Sequence, residues 1–398
     1  MMSYRYLIVG AGMTADAAAK GIREVDPDGA IGIIGSERER PYDRPPLSKG
    51  LWTGKPEEKI WRGQLPRNVN LILDRTVSEI DRTGRQVTDG AGEFHRYEKL
   101  LLATGGAPRR LPFGDDERII YFRTLEDYRR LRSLADTGEC FAVIGGGFIG
   151  SEIAAALAMN GKRVVMAFPG EGIGHKVYPQ NLSRFINEYY RNKGVELLPQ
   201  HKAVSVETRG GQLALYVRER EGGKRREMLV DGIVAGIGIE PNTALAGAAG
   251  LEVGDGILVD AQLRTTDPNI YAAGDVAAAY IPALGRRVRI EHEDNANTMG
   301  RMAGRSMAGA EVEYTHLSYF YSDLFDLGYE AVGDLDARLQ TVEQWEEPFR
   351  KGVVYYLGDG RVRGVLLWNV WDQVEAARRL IEAPGPFGPD DVKGRLPA

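Results

Sequence analysis

The 398 residues, 43% hydrophobic and 27% charged, have the composition of a folded globular protein, and the length predicts two to three domains with large buried cores. A net charge of −5 argues against bulk nucleic-acid binding. No apolar run of membrane-spanning length occurs, and the first predicted strand starts close to Met1, so neither a membrane span nor a signal peptide is expected and a cytoplasmic location is.

An apolar run at 6–9 predicts a buried strand, followed by Gly10-Ala11-Gly12-Met13-Thr14-Ala15 and an alanine-rich helix over 15–25. This is the G-x-G-x-x-G/A spacing of a dinucleotide-binding turn. Its first glycine permits the tight turn, its second lets the backbone approach a pyrophosphate, and its third small residue lets the helix pack on the strand. The phosphate then lies on a helix N-terminus, where unpaired amides and the dipole favour negative charge. Asp26-Pro27-Asp28-Gly29 stops the helix, and a second parallel strand is expected over 30–35. Glu37 follows about 20 residues beyond Ala15, where an acid accepts from an adenosine ribose.

The stretch 41–50 holds three prolines and is stiff; Ser48 is a candidate helix cap, and Arg44 and Lys49 could present cations to a cofactor or simply be surface charges. Strands are expected over 69–73, 77–80 and 100–102, the last running into Ala103-Thr104-Gly105-Gly106. Ligands of open parallel sheets bind beyond such carboxyl ends, so 104–106 should face the first nucleotide.

A helix over 124–133 leads to a second copy of the turn: a strand at 141–144, then Gly145, Gly147 and Gly150, then a helical run. Its second strand is expected over 162–168 and its acid is Glu171, in a flexible loop 169–174. Two dinucleotide turns in one chain imply electron transfer between two nucleotides. A helix over 182–192 and a meander of 204–207, 213–218 and 227–230 lead into 232–238; 258–275 ends in an apolar strand and Gly274-Asp275. Asp275 either caps a helix or contacts a cofactor at a strand end. Glu291-His292-Glu293-Asp294 precedes a helix over 295–308, where acids suit the dipole and His292 reads as a surface residue. From 319 onward, strands over 329–333, 341–345, 353–357 and 362–368, with a hairpin turn at Asp359-Gly360, and a helix over 373–381 suggest a third, mixed α+β domain.

Cys140 is the only cysteine, so disulfide chemistry within the chain is excluded, and its place at the start of a strand reads as an inert packed thiol. With five histidines in no ligand-like cluster, no metal site is expected. The arginine clusters at Arg129, Arg130 and Arg132 and at Arg286, Arg287 and Arg289 read as solvated faces, with local docking patches as the alternative.

Taken together these residues resemble the FAD- and NAD(P)H-dependent pyridine nucleotide oxidoreductases, most of all flavoproteins of the ferredoxin-reductase and apoptosis-inducing-factor types. The likeness covers nearly the whole length. It rests on the Gly10 to Ala15 turn, Arg44-Pro45-Pro46-Leu47-Ser48-Lys49, Ala103-Thr104-Gly105-Gly106, Gly145 to Glu152, Ala272-Ala273-Gly274-Asp275, Glu291-His292, Gly328-Tyr329-Glu330 and Leu367-Trp368-Asn369. It implies an α/β fold with two Rossmann-like dinucleotide-binding domains and a C-terminal α+β interface domain. The implied boundaries are 1–115 plus 240–318 for FAD, 116–239 for NAD(P)H and 319–398 for the interface domain.

By the same resemblance, Gly10, Gly12, Met13, Thr14, Glu37, Arg44, Lys49, Val77, Ala103, Thr104, Gly105, Arg109 and Asp275 hold FAD, and Glu291, His292 and Tyr321 belong to the cofactor set. Gly145, Gly147, Phe148, Ile149, Gly150, Glu171, Lys176, Gly238, Glu330 and Asn369 would lie along the nicotinamide dinucleotide. Lys49 and Glu152 would pair beside the isoalloxazine as the catalytic residues, the ammonium favouring reduced flavin and the carboxylate preventing an unpaired buried cation. Two positions depart from the pattern. Tyr321 stands before Ser322-Asp323 where a tryptophan is usual, and Gly170 stands where an acidic ribose ligand often lies, with Glu171 after it. NADH is favoured because a carboxylate repels a 2′-phosphate, while Lys176 keeps NADPH open. The implied activity is hydride transfer from NAD(P)H to FAD, with electrons passing to a ferredoxin or rubredoxin, or next to oxygen or a quinone. The alternative is an NADH-sensing flavoprotein with slow turnover, a stable charge-transfer complex and redox-linked homodimerisation.

Overall fold

Strand Met2–Val9 lies inside a seven-stranded sheet in the computed structural model, which describes residues 2–114, 116–220 and 222–398. The last four residues of this strand are all buried, as a strand covered on both faces requires. It pairs in parallel with Ile31–Ile34 on one side and Phe94–Leu102 on the other. Val69–Ile72 extends the parallel sheet beyond Ile31–Ile34, and Ile270–Ala272 returns from far along the chain to pair with the carboxyl half of Phe94–Leu102. The other half of that strand joins an antiparallel meander with Gln86–Asp89 and Val77–Asp81. This sheet, the helices Met13–Arg23 and Glu293–Met307, and a four-stranded sheet built from 253–289 make one compact unit, Met1–Arg44, Glu57–Ala107 and Glu240–Tyr319.

The two helices of this unit touch backbone to backbone. A β-carbon on Gly304 would lie 2.1 Å from the Ala18 carbonyl oxygen, and one on Gly21 would lie 2.1 Å from that of Arg301. Ala17 and Ala18, both buried, lie in the same seam opposite Gly300 and Gly304. Alanine favours the helix in its own right, and the missing side chains are what let the two helices close.

The second unit comprises Pro45–Pro56, Pro108–Ile239 and Phe320–Ala398. Its parallel sheet has the order Val195–Pro199, Arg163–Phe168, Cys140–Ile144, Gly232–Ala235, Ile119–Ile120. The meander His201–Arg209, Gln212–Glu219, Arg225–Val230 covers one face, with Leu213, Leu215 and Val217 packed against Ala142, Ile144, Val165 and Ala167; the period of two in each set puts them on facing surfaces. The C-terminal sheet is antiparallel through Leu327–Gly333, Arg361–Trp368, Lys351–Gly358 and Gln340–Glu347. Asp359 and Gly360 have φ of 52° and 67°, the two left-handed residues that a type I′ hairpin needs. Thr124 precedes its helix, Leu125–Thr137, as a capping-box residue instead of being its first turn. Two Rossmann-like layers and an antiparallel C-terminal sheet are therefore all present.

Replacing a mid-helix glycine by alanine ordinarily favours the helix by about 1 kcal/mol. For Gly304→Ala the collision with the Ala18 carbonyl outweighs this, and a net loss of about 1–3 kcal/mol is expected, read from the midpoint of denaturant unfolding.

Candidate functional site

In the first unit, Gly10 follows its strand at φ +114°, and a β-carbon there would lie 2.1 Å from the Ala103 carbonyl oxygen. The turn therefore needs glycine for its fold alone. Gly12 differs: it stands at the helix N-terminus, and its missing side chain leaves space whose nearest atom is Arg44 Nη2 at 3.9 Å. Met13 and Thr14 are buried in the first turn, and the Met13 sulfur accepts from the Arg44 amide at 3.4 Å. Glu37, three residues past the Ile31–Ile34 strand, accepts from Arg44 Nη2 at 2.5 Å and from the Tyr42 hydroxyl at 2.5 Å. Burial opposes the Arg44 charge, yet Tyr42, Glu37 and Asp275 hold its pKa above the ordinary value.

Around the same turn, Val77 and Ala103 are buried, and Thr104 and Gly105 are fixed by Asn242, which donates to the Thr104 and Gly105 carbonyls. Asn242 carried no sequence signal, because its partner Thr104 lies 138 residues away and only folding brings it near; Tyr42 acts through Glu37 and Arg44, five and two residues away, and belongs to no motif by itself. Asp275 sits inside the short turn Gly274–Val276 and caps no helix, which removes that alternative. Glu291 is exposed and accepts from Arg289 Nη1 at 2.6 Å. His292 is not a surface residue: it is half-buried at the N-cap of Glu293–Met307, and burial pushes its pKa down to about 4, so the ring is neutral at pH 7.

The second unit repeats the logic. A β-carbon on Gly145 would meet the Gly236 carbonyl oxygen at 2.2 Å, and one on Gly150 would meet that of Gly145 at 2.1 Å. One on Gly147, the N-cap of Phe148–Met159, would meet nothing within 4 Å. Phe148 and Ile149 follow, each more than a third exposed despite being large and apolar. Glu171 lies three residues past Arg163–Phe168, the same offset as Glu37. Where composition suggests flexibility, its loop is tied by hydrogen bonds. Asn187 receives the Ile173 amide and donates to the Glu171 carbonyl, Ser183 donates to the Ile173 carbonyl, and the Gly174 amide bonds the Gly146 carbonyl. A side chain on Gly170 would collide with the His175 ring, 2.2 Å from where its β-carbon would stand. Burial and Lys176 hold His175 below its usual pKa, so that ring is also neutral at pH 7.

Gly238 has φ +97°, and its carbonyl receives the Arg109 amide at 2.9 Å. The Lys176 carbonyl receives the Ala337 amide. Glu330 is half-buried with its Oε2 lacking a hydrogen-bond partner among the described residues, and burial raises its pKa. Asn369, at φ +49°, spends its amide on the Gly328 amide and the Arg350 carbonyl.

Lys49 and Glu152 meet within this unit: Nζ lies 2.7 Å from Glu152 Oε1, with the side chains 12% and 2% exposed. Ser48 is no helix cap. It ends the turn Pro45–Ser48, and its hydroxyl donates to Glu152 Oε2 at 2.6 Å. Ser322 donates to Oε1 at 2.6 Å. Tyr321 presents its ring to the Lys49 ammonium at 5.2 Å. A buried ion pair of this kind costs about 3–5 kcal/mol when one partner alone is removed, because the other charge is left uncompensated.

Among the described residues no group of three or more His, Cys, Asp or Glu could hold a metal, and no helix is long and apolar enough to cross a membrane. Burial raises the Cys140 thiol pKa. The arginine clusters are engaged internally: Arg132 with Asn160, Arg130 with the Glu117 carbonyl, Arg289 with Asp255 and Glu291.

The family model described as pyridine nucleotide-disulphide oxidoreductase matches residues 4–300. The chain belongs to that family. A second model, described as the C-terminal part of apoptosis-inducing factor, mitochondrion-associated, matches 303–348 and 343–383. The chain is 35% identical over 388 residues to the ferredoxin–NAD(+) reductase component of the anthranilate 1,2-dioxygenase system of Burkholderia cepacia, covering 95% of this chain and 94% of that protein. It is 34% identical over 421 residues to mitochondrial apoptosis-inducing factor 1 of Dictyostelium discoideum, covering 95% of this chain and 78% of that protein. Among solved structures, that of the covalent putidaredoxin reductase–putidaredoxin complex matches with a TM-score of 0.89 at 29% identity, over 98% of this chain and 95% of that one. This protein is thus an FAD-dependent NAD(P)H oxidoreductase of the ferredoxin-reductase type, in which a lone cysteine leaves no disulfide of its own to reduce.

The residues fit both nucleotides. In each unit the middle glycine opens onto free space at a helix N-terminus, an acid stands at the same offset beyond the second strand, and the first glycine is closed off by backbone. The unpartnered Glu330 oxygen supplies an acceptor that an amide donor would satisfy. A test separates ligand cradle from fold. Gly147→Ala should leave the melting temperature unchanged while weakening nicotinamide nucleotide binding at least tenfold by equilibrium titration, whereas Gly150→Ala should lower the melting temperature.

Proposed function

We propose that this protein is an NADH-dependent reductase that delivers electrons through FAD to a small one-electron carrier of the ferredoxin or rubredoxin kind. The observation that carries this reading is the pair of phosphate cradles in a chain with one cysteine: two nucleotides exchange a hydride, and no internal disulfide can receive the electrons. Bound FAD supplies the chemistry, accepting a hydride and giving up electrons singly. Residues 1–115 and 240–318 bind FAD, 116–239 bind the nicotinamide nucleotide, and 319–398 form the C-terminal domain.

Within this scheme the chain binds, orients and sets charge. Gly12, Thr14, Glu37 and Arg44 hold the FAD diphosphate and ribose side; Gly147, Phe148, Ile149 and Glu171 hold the other nucleotide. Glu171 accepts from a free ribose 2′-hydroxyl and repels a 2′-phosphate, which supports NADH, as does the name of the Burkholderia relative. Lys49, neutralised by Glu152, supplies the positive charge that favours flavin reduction, and Tyr321 flanks it. No side chain needs to act as acid or base in hydride transfer itself.

The second reading is an NADH sensor whose reduced flavin persists in air and whose output is association with a partner or a second copy. The match of residues 303–383 to the apoptosis-inducing-factor C-terminal model favours it.

Anaerobic stopped-flow reduction with NADH and with NADPH, followed by mixing with air or a ferredoxin, tests the choice. Reduction at least tenfold faster with NADH and rapid reoxidation by the carrier are expected; slow reduction with flavin that stays reduced in air would replace the reductase by the sensor. Lys49→Met should slow flavin reduction at least tenfold. Glu171→Ala should narrow the preference for NADH by raising its KM more than that of NADPH.

A further inference from the structure

The Glu152 carboxylate receives more than its ion pair needs. Its side chain is 2% exposed, and each oxygen takes a hydroxyl proton: Oε2 from Ser48 at 2.6 Å, Oε1 from Ser322 at 2.6 Å, with the Lys49 ammonium also on Oε1 at 2.7 Å. The last torsion of a glutamate is broad and roughly two-fold, so an ion pair alone leaves the carboxylate free to turn and offer either oxygen. One donor on each oxygen removes that freedom. The lysine stem carries about 2 kcal/mol of rotamer entropy, so where its ammonium rests is decided by what holds its far end.

The two serines come from separate segments. Ser48 immediately precedes Lys49 at the end of the proline-rich turn, and Ser322 immediately follows Tyr321 in Tyr319–Leu324. Of the side chains set against the Lys49 ammonium, Glu152 at 2.7 Å and Tyr321 with its ring centre at 5.2 Å, Glu152 is thus held by hydroxyls one residue from Lys49 and one residue from Tyr321. Both serines are buried, 5% and 1% exposed, and a buried hydroxyl is retained only where it has a partner. The neighbouring ionisable groups lie in the field of the pair, Asp323 in that of both Lys49 and Glu152. Tyr178, Tyr190 and Tyr329 are buried and raised in pKa, their hydroxyls kept protonated partly by the Glu152 charge, and Asp323 is raised by burial.

We propose that Ser48 and Ser322 are positioning residues whose hydroxyls lock the Glu152 carboxylate in the one orientation that holds the Lys49 ammonium still for flavin reduction. The proposal rests on the assignment of Lys49 and Glu152 to the flavin made above. It makes the charge a property of four residues, with the hydroxyls setting its place and the ion pair its sign.

The test uses the FAD-loaded enzyme with Ser48→Ala, Ser322→Ala and the double variant, beside Glu152→Gln and Lys49→Met. Two readouts are independent of turnover: the midpoint potential and visible spectrum of the flavin, and the rate at which Lys49 is acetylated, followed by mass spectrometry. A hydrogen bond to a charged group, once lost, should raise the population of released Lys49 and so its labelling rate about tenfold or more per serine. The double variant should also shift the flavin potential in the direction of Glu152→Gln, and Ser48→Thr should return both readouts towards wild type. Labelling and potential equal to wild type in the double variant, with Glu152→Gln still shifting the potential, would overturn the clamp and leave the ion pair's role intact. A potential unmoved by Glu152→Gln and Lys49→Met would instead remove the flavin assignment, and the labelling rates would still decide whether the serines hold Lys49. If the double variant does not fold, the single variants and Ser48→Thr carry the same comparison.

Discussion

Backbone passing backbone without an intervening β-carbon is the constraint on which this protein is built. In the first unit the end of Met2–Val9 turns against the Ala103 carbonyl at Gly10, and Gly21 and Gly304 bring two helices together to carbonyl contact. In the second, Gly145 turns against Gly236 and Gly150 closes the helix onto the same turn. These contacts hold the turns in one conformation before any ligand arrives, so the amides at each helix N-terminus are already aimed. Gly12 and Gly147 are the exceptions that give the constraint its meaning: there the side chain is missing with nothing of the protein's own in its place.

Each cradle helix also carries a buried acid near its positive end, a placement the helix dipole favours. Asp16, 1% exposed, is closed by two cations, Lys20 at 2.8 Å and Arg62 at 2.7 Å, and Arg62 goes on to Asp43 and Asn297. Glu152 is closed by one cation and two neutral hydroxyls. The first arrangement spreads its charge over a network that ties chain segments together. The second sets one ammonium against one carboxylate whose other donors are neutral, a fixed local dipole that a redox ring placed nearby would sense. The same kind of buried carboxylate thus joins several chain segments in one unit and, in the proposed scheme, sets the charge beside the flavin in the other.

Much of this was legible in the sequence because the signals are local. Apolar runs at 6–9, 141–144 and 162–168, glycines at fixed offsets and acids about 20 residues on fall within two βαβ stretches, each signal inside its own, and the structure has its strands and helices there. Contributions that depend on distant partners were not legible. Ser48 read as a cap because a serine after prolines usually is one; its partner is 104 residues away, and that of Ser322 is 170 residues away. His292 read as surface because its burial comes from packing that the local sequence does not show. The 169–174 loop read as flexible from its glycines, whereas Asn187 and Ser183 pin it from a helix. The strand Ala277–Ile281 gave no β-branched signal in its first three alanines, and its sheet went unnoticed.

The His175 ring against Gly170 has a bearing on how coenzyme preference could change over generations. An acid introduced at 170 alone collides with the ring, and a smaller residue at 175 alone opens a gap in the loop without adding a ribose ligand. Either single step is unfavourable, while the two together would place an acid one position earlier and, in the proposed scheme, release Glu171 from the ribose. The two positions are therefore coupled, so that the order of substitutions matters. Lineages that share this loop should differ at 170 and 175 together or at neither.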